Sequence, residues 1–295
     1  MELSELRAAT NDLLDDLEAL AGRYQQDGCL LVRGALGSAA LAAVIDQATS
    51  VLVRCGVADH RCGLRWTGAP VPDLDDIGIN DIPALDDLVH QIDGGSDPLR
   101  PVADRVCGHP MHIWRALHIF AAVPDDPSHV TAPHQDNFAV NTTGDYRRLW
   151  IALTDIPFGD GGLGLAVGSH RRGRLPRREL RDPGLVNDHW HTASMEPGDL
   201  IVFRPDVVHR GLPATSDRIR MALAVIASAT SDPLPHTMYT GPENRARHNR
   251  VRELAAPLGL SELELFGITA DLTRAGVAIE EETVRAAVRG DYSPR

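Results

Sequence analysis

Apolar residues at helical spacing open the chain and then give way to shorter patterns. Leucines recur at roughly helical intervals over residues 3–24, which predicts an amphipathic helix. The apolar run Cys29–Val32 predicts a short strand, and residues 37–56 predict a second helix with Ser38 as its N-cap. Residues 57–100 are rich in Gly, Pro and Asp, so we expect them to form a loop-rich covering structure.

From about residue 110 the pattern changes to short apolar segments at regular spacing. Turn sequences such as PDDP, TTGD, GDGG, EPGD and ATSD separate them, and this arrangement is typical of a sandwich or jelly roll. After residue 240 the pattern is helical again. We therefore expect one domain over 1–295, mainly β with helical additions. It would have a double-stranded β-helix (cupin-like jelly roll) core at about 110–230, a helical N-terminal part at 1–109 and a helical C-terminal extension at 240–295.

Composition and charge narrow the class of protein. The chain is 43% apolar and 24% charged, as in ordinary globular proteins, and no apolar run approaches the roughly 18 residues that span a bilayer. A formal charge of −12 argues against nucleic acid as a partner. Four cysteines without CxxC spacing, and an acidic start unlike a signal peptide, favour a reduced, cytoplasmic setting.

The basic residues are all arginines, and the sequence contains no lysine. Together with abundant Ala, Gly and Asp, this indicates a GC-rich bacterial genome. It also excludes Schiff-base chemistry on a lysine, and any buried cation that holds a carboxylate must be an arginine or a protonated histidine.

The sequence APHQDNFAVN, residues 132–141, places two potential ligands in a predicted strand. Residues two apart in a strand share a face, so His134 and Asp136 would point at one spot. Such a pair suits a metal, a proton relay or a solvated surface. His209 follows the apolar strand in EPGDLIVFRPDVVHRG, and with it the set matches the two-histidine, one-carboxylate triad of non-haem iron oxygenases.

A third feature follows in RIRMALAVIAS, residues 218–228. Alternation places Arg218, Arg220 and two small alanines on one face and branched residues on the other. If the first face lines a barrel interior, it offers space and a guanidinium that can bind a carboxylate ligand. The alternative is a solvated edge strand that carries arginines.

These segments resemble the phytanoyl-CoA dioxygenase family of Fe(II)/2-oxoglutarate-dependent oxygenases. The resemblance spans roughly residues 10–228 and rests on HQD at 134–136, LWIALTDIPFGDGGLGLAVGSH at 149–170, EPGDLIVFRPDVVHRG at 196–211 and RIRMALAV at 218–225. It implies a jelly-roll enzyme that uses Fe(II), 2-oxoglutarate and O2, forms succinate and CO2, and most often hydroxylates its substrate. A small secondary metabolite, as in antibiotic biosynthesis, or a lipid-like molecule is the expected substrate.

The resemblance also assigns residues. His134, Asp136 and His209 match the iron ligands and, with Arg220, the catalytic set; Arg220 would bind the far carboxylate of 2-oxoglutarate. Trp150 would border this cosubstrate. Gly211 departs from relatives that carry a serine there, so the missing hydroxyl would come from elsewhere, with Thr142 or Thr143 as candidates. The expected contacts to the main substrate are Asn137 and Arg218.

Alternatives remain open at this point. The same ligand set could serve a zinc hydrolase, a cupin-like isomerase or a metal-dependent sensor, and the oxygenase machinery could catalyse desaturation, epoxidation or ring formation. Residues 171–181 hold six arginines in eleven positions of an acidic protein. This arginine-rich segment is either a solvated loop or a docking patch for a CoA-bound or carrier-bound substrate.

Overall fold

A computed structural model describes most of the chain. It covers residues 2–7, 16–59, 64–72, 74, 77–93, 99–124, 130–136, 146–173, 175, 180, 189–229, 242–260 and 262–292.

Strands and helices alternate in the first third, strands dominate the middle and helices close the chain. The strands are β1 (Glu2–Glu5), β2 (Cys29–Val32), β3 (Ala58–Asp59), β4 (Arg65–Trp66), β5 (Met111–Ala122), β6 (Tyr146–Ala152), β7 (Leu163–Leu165), β8 (His189–Thr192), β9 (Leu200–Phe203), β10 (His209–Gly211) and β11 (Arg220–Ala229). The helices are α1 (Leu17–Asp27), α2 (Ser38–Arg54), α3 (Pro83–Asp93), α4 (Leu99–Cys107), α5 (Pro242–Ala255), α6 (Glu262–Arg274) and α7 (Glu281–Arg289).

Two sheets form a sandwich. The larger has the strand order β2-β9-β6-β11-β5, and the smaller has the order β1-β8-β7-β10. Their pairings are antiparallel except that β1 runs parallel to β8. Every residue of β2 and of β9 is buried, as expected of strands covered on both faces.

The larger sheet separates two hydrophobic cores. On one face, Leu149, Ile151 and Leu223 pack with apolar residues of α1 to α4. On the other face, Trp150 and Ala222 pack with apolar residues of β7, such as Leu165. Because neighbours along a strand point to opposite faces, each long strand supplies both cores. The second core faces the smaller sheet and forms the interior of the jelly roll.

The three C-terminal helices have a hydrophobic core of their own. Val251 of α5, Ile268 and Leu272 of α6, and Val284 of α7 are all buried in it. The expected division of the chain into one domain with helical additions at either end stays a prediction.

Three local predictions were wrong. Residues 2–5 form a strand rather than the start of a helix, because Glu2–Glu5 pairs with β8, a partner distant in sequence. The N-cap of α2 is Gly37, one residue before Ser38. Residues 132–136 form no regular strand, since Pro133 has no N–H to donate to a ladder; His134 instead makes an isolated antiparallel bridge.

The predicted fold class is confirmed. The structure has a jelly-roll sandwich with helices added at both ends of it, and the strand Cys29–Val32 has the predicted bounds. Among the described residues, no helix is long and apolar enough to cross a bilayer.

Candidate metal centre

Three potential metal ligands converge beside the start of β10: His134, Asp136 and His209. His209 begins β10, and its backbone exchanges two hydrogen bonds of 2.9 Å with that of His134. The two imidazole rings lie 4.1 Å apart, centre to centre. One potential ligand atom from each of the three residues lies within 4.8 Å of the others. The isolated bridge therefore places His134 beside His209, although residues 132–136 form no regular strand.

Hydrogen bonds fix which nitrogen of each histidine faces the centre. Nδ1 of His134 lies 2.9 Å from the carbonyl oxygen of Ala132, and Nδ1 of His209 lies 3.0 Å from that of Val207. A carbonyl accepts only, so each Nδ1 carries the proton and donates it. The Nε2 lone pairs are left for a ligand. They lie 3.8 Å and 3.6 Å from Oδ1 of Asp136.

The carboxylate of Asp136 is held from behind by an arginine. Nε of Arg148, on β6, donates to Oδ2 of Asp136 at 2.7 Å, which leaves Oδ1 directed at the histidines. Burial alone would raise the pKa of Asp136, but the charge and hydrogen bond of Arg148, together with the two neighbouring imidazoles, outweigh burial and hold the pKa below its ordinary value. Asp136 is therefore an anion at neutral pH.

Both histidines are neutral at neutral pH. Burial lowers the pKa of His134 to about 3, and the neighbouring His209 acts in the same direction. Burial likewise lowers the pKa of His209. Neutral imidazoles and an ionised carboxylate are the forms that bind a metal. Two nitrogens and one oxygen on one side of a centre fit Fe(II), with other positions open to further ligands.

Aromatic residues and residues with small side chains form the interior wall beside the metal ligands. Phe203 of β9 packs its ring 4.7 Å from that of His209 and pairs with Arg148 on the next strand. Trp150 is buried and pairs with Ala224 of β11. Trp150 therefore lies on the inner wall, and its predicted contact with the cosubstrate stays a prediction.

Arg220, the first residue of β11, lies at the end of the same inner face and is 2% exposed. Its guanidinium donates to the carboxylate of Asp160, to the hydroxyl of Ser216 and to the carbonyl oxygen of Arg218. Burial lowers the pKa of Arg220, and Asp160 opposes that shift. Its Nε has no hydrogen-bond partner among the described residues. A buried N–H without a partner is a donor that suits the carboxylate of a bound acid.

A hydroxyl lies beside Gly211, and it comes from a residue that the sequence did not single out. The hydroxyl oxygen of Thr131 accepts a hydrogen bond of 2.7 Å from the backbone N–H of Gly211. Thr131 lies three residues before His134, and its own O–H remains able to donate to a ligand. The sequence candidates for this hydroxyl, Thr142 and Thr143, lie outside the described residues.

Of the remaining predicted residues, Arg218 is described and does not contact the three potential metal ligands. Arg218 precedes β11 as an isolated bridge to Arg65, and it is exposed. Asn137 lies outside the described residues, as does most of the arginine-rich segment 171–181. Their predicted roles stay predictions.

Sequence reasoning missed the supporting residues Arg148, Gln135 and Asp160. Arg148 lies two residues before Trp150, so strand alternation could have placed it on the same inner face. Gln135 is 1% exposed and donates to the carbonyl oxygens of Gly173 and Asp206 at 2.9 and 2.6 Å. Gln135 thereby connects the segment that holds His134 and Asp136 to the segment that precedes His209. No local sequence signal marks these long-range contacts.

Known proteins share this fold and this region of sequence. The family model for phytanoyl-CoA dioxygenase (PhyH) matches residues 24–222, more than half of the chain. The 1-deoxypentalenic acid 11-beta-hydroxylase of Streptomyces exfoliatus is 30% identical over 225 residues, which cover 69% of this chain and 77% of that protein. Phytanoyl-CoA dioxygenase 1 of Oryza sativa subsp. japonica is 32% identical over 106 residues, 32% of this chain and 37% of that protein.

A solved structure repeats the architecture at lower identity. The non-haem alpha-ketoglutarate-dependent carbocyclase SnoK from nogalamycin biosynthesis has a TM-score of 0.57 and 20% identity. The match covers 83% of this chain and 94% of SnoK. At this identity the likeness shows the fold alone.

Proposed function

We propose, from the premise that this chain belongs to the phytanoyl-CoA dioxygenase family, that it hydroxylates an unactivated C–H bond of a small-molecule substrate. It is a dioxygenase of the Fe(II)/2-oxoglutarate-dependent class. Its cofactors are Fe(II), 2-oxoglutarate and O2, which together supply the oxidant while 2-oxoglutarate is converted to succinate and CO2.

One observation carries the proposal. In the trio His134, Asp136 and His209, the atoms that face away from the centre already have partners, and the atoms that face it are Nε2, Nε2 and Oδ1. A surface cluster of histidines and an aspartate would have no reason to be oriented in this way. Outer partners that fix ligand orientation are typical of functional metal centres.

The other residues of the inner wall supply binding and orientation. We assign the far carboxylate of 2-oxoglutarate to Arg220, whose buried Nε lacks a partner. Trp150 and Phe203 make the wall apolar and exclude water from the space beside the metal ligands. We also assign a hydrogen bond to the cosubstrate to the hydroxyl of Thr131, which accepts from the backbone N–H of Gly211.

The Streptomyces hydroxylase supports the substrate class. That relative acts on 1-deoxypentalenic acid, a small molecule, and the match covers 69% of this chain. We therefore propose a small secondary metabolite as substrate, in antibiotic biosynthesis or a similar pathway. Attachment of the substrate to CoA or to a carrier protein stays a prediction, because it rests on the arginine-rich segment 171–181 alone.

Reconstitution tests the proposal. The metal-free protein is loaded with Fe(II) under anaerobic conditions, 2-oxoglutarate is added, and succinate is measured after O2 is admitted. We expect a visible Fe(II)–2-oxoglutarate charge-transfer band and succinate formation that requires Fe(II). Full activity with Zn(II), or no band at any 2-oxoglutarate concentration, would instead support a hydrolase, an isomerase or a sensor.

A further inference from the structure

We propose that Asp160 competes with the far carboxylate of 2-oxoglutarate for the guanidinium of Arg220. By binding this guanidinium, Asp160 lowers the affinity of the enzyme for the cosubstrate. The inference rests on the proposed function, since it takes Arg220 as the group that receives 2-oxoglutarate. It makes Asp160, which no motif singled out, the residue that sets cosubstrate affinity and the preference for a second carboxylate.

The first argument is the number of donors that remain. A guanidinium has five N–H bonds. Nη1 of Arg220 contacts the carbonyl oxygen of Arg218, and it lies 3.4 Å from that of Ser216. Nη2 donates to the carboxylate of Asp160 and contacts the hydroxyl of Ser216. Within the described part of the chain, Nε is the guanidinium nitrogen that is buried and without a partner.

The second argument concerns which nitrogen is occupied. A carboxylate binds a guanidinium bidentately through two parallel N–H bonds, either from Nε and Nη2 or from Nη1 and Nη2. Nη2 belongs to both pairs, and it is the nitrogen that Asp160 holds. An incoming carboxylate can therefore reach Nε alone, or it must displace a partner of Nη2 to bind with both oxygens.

The third argument is that Asp160 is built into this position. Its Oδ1 accepts a hydrogen bond of 2.5 Å from the backbone N–H of Thr215, and the side chain is largely buried. Gly161, the next residue, has a φ of +72°, and a Cβ there would lie 2.7 Å from Cδ of Arg220. The turn therefore needs glycine, and it carries Asp160 directly against the arginine.

The pair has a physical reason to exist. A buried guanidinium without a counter-ion would destabilise the empty enzyme, so an internal carboxylate stabilises the fold before the cosubstrate arrives. The same carboxylate repels a second anion that approaches Arg220. The cosubstrate must therefore outcompete Asp160 for a site whose net charge is already close to zero.

The test compares three proteins in one titration. Wild type, Asp160→Asn and Asp155→Asn are loaded with Fe(II) without O2, and 2-oxoglutarate is titrated while the charge-transfer band is recorded. Asp155 is an exposed aspartate of the same loop, so its variant controls for net charge. We expect Asp160→Asn to lower the Kd for 2-oxoglutarate about tenfold and Asp155→Asn to change it less than about twofold.

A second ligand makes the result specific. 2-Oxobutyrate lacks the far carboxylate, so its Kd should be the same in wild type and in Asp160→Asn. Thermal unfolding should show the empty Asp160→Asn protein less stable than wild type and more strongly stabilised by 2-oxoglutarate. If the asparagine variant does not fold, Asp160→Ser gives the same comparison, because serine also removes the charge and can accept from Thr215.

Two outcomes would overturn the inference. An unchanged or higher Kd in Asp160→Asn would make Asp160 irrelevant to binding or a positioning residue for Arg220. A Kd for 2-oxobutyrate that falls in parallel would show that the effect is not at the far carboxylate. Absence of the band in wild type is a different failure, since it contradicts the proposed function rather than the role of Asp160.

Discussion

Two buried arginine–aspartate pairs lie in the interior of this jelly roll, and they are arranged in opposite ways. In the pair Arg148–Asp136 the arginine holds one carboxylate oxygen and leaves the other free for a metal. In the pair Arg220–Asp160 the aspartate occupies the guanidinium nitrogen that both bidentate modes require. The first pair prepares a ligand, whereas the second occupies a binding group.

The difference shows that an ion pair has no fixed meaning in a binding site. What matters is which atoms it leaves without a partner, because those atoms determine what the site can still bind. At the metal centre these atoms are one carboxylate oxygen and two imidazole nitrogens. On the guanidinium of Arg220, the atom without a partner among the described residues is Nε.

Removal of the metal-binding carboxylate should have the largest effect. We expect Asp136→Gly to lose measurable hydroxylation, since one of three ligands is gone and Arg148 loses its ion pair with that carboxylate. The measurement is the Fe(II) content after dialysis, together with succinate formation.

In halogenases similar to this family a small residue replaces the carboxylate, so the intact Asp136 also predicts no chlorinated product in chloride buffer. A chlorinated product from the wild type would contradict this prediction.

Removal of the occupied arginine should come next. Loss of one partner of a buried charge pair costs about 2 to 5 kcal/mol, or roughly 30- to several-thousand-fold in affinity. We expect Arg220→Ala to weaken 2-oxoglutarate binding by that factor in the charge-transfer titration. The matched control is Arg218→Ala, which removes an exposed arginine and should cost about 1 kcal/mol or less.

The arginine variant also leaves Asp160 buried without a cation, so stability must be separated from binding. The double variant Arg220→Ala/Asp160→Asn removes both charges and should unfold at a higher temperature than Arg220→Ala. Its affinity for 2-oxoglutarate should rise above that of the single variant, because the uncompensated carboxylate of Asp160 no longer repels the cosubstrate, and should stay below that of the wild type. If Arg218→Ala proves the more damaging of the two alanine variants, the assignment of Arg220 is wrong.

Removal of the supporting arginine should have an intermediate effect. Outer partners of metal ligands typically contribute 10- to 100-fold to metal affinity. We expect Arg148→Gln to raise the Kd for Fe(II) by about that factor, because Oδ2 of Asp136 loses a charged donor. Competition with a metal chelator measures the change. An unchanged Fe(II) affinity would mean that the backbone bridge between His134 and His209 orients the ligands without help from Arg148.

Two kinds of feature could be predicted from the sequence: strands with periodic apolar residues, and site residues that belong to motifs. Alternating apolar residues indicated the strands, and the order of HQD, His209 and Arg220 indicated the centre before any geometry was known. The helix predicted at the start of the chain was wrong there, because Glu2–Glu5 pairs as a strand with β8. Pairing between distant segments overrides local periodicity.

The contacts of the supporting residues could not be predicted for the same reason. Arg148 lies 12 residues from Asp136, Asp160 lies 60 residues from Arg220, and Thr131 lies 80 residues from Gly211. Each contact depends on how strands from different parts of the chain meet, and no spacing rule describes that. The motif identified which residues bind; the fold determines which of their atoms remain available.

Thr131 offers the mildest test of this argument, because it contributes a neutral hydrogen bond rather than a charge. Its hydroxyl accepts from the N–H of Gly211 at 2.7 Å, and its proton can be donated to a carboxylate of the cosubstrate. A single neutral hydrogen bond contributes about 0.5 to 1.5 kcal/mol, so Thr131→Val should weaken 2-oxoglutarate binding by roughly two- to tenfold. Thr131→Ser keeps the hydroxyl and should restore wild-type affinity in the same titration. If valine and serine behave alike, the hydroxyl does not reach the cosubstrate, and Thr131 serves only to hold the end of β10.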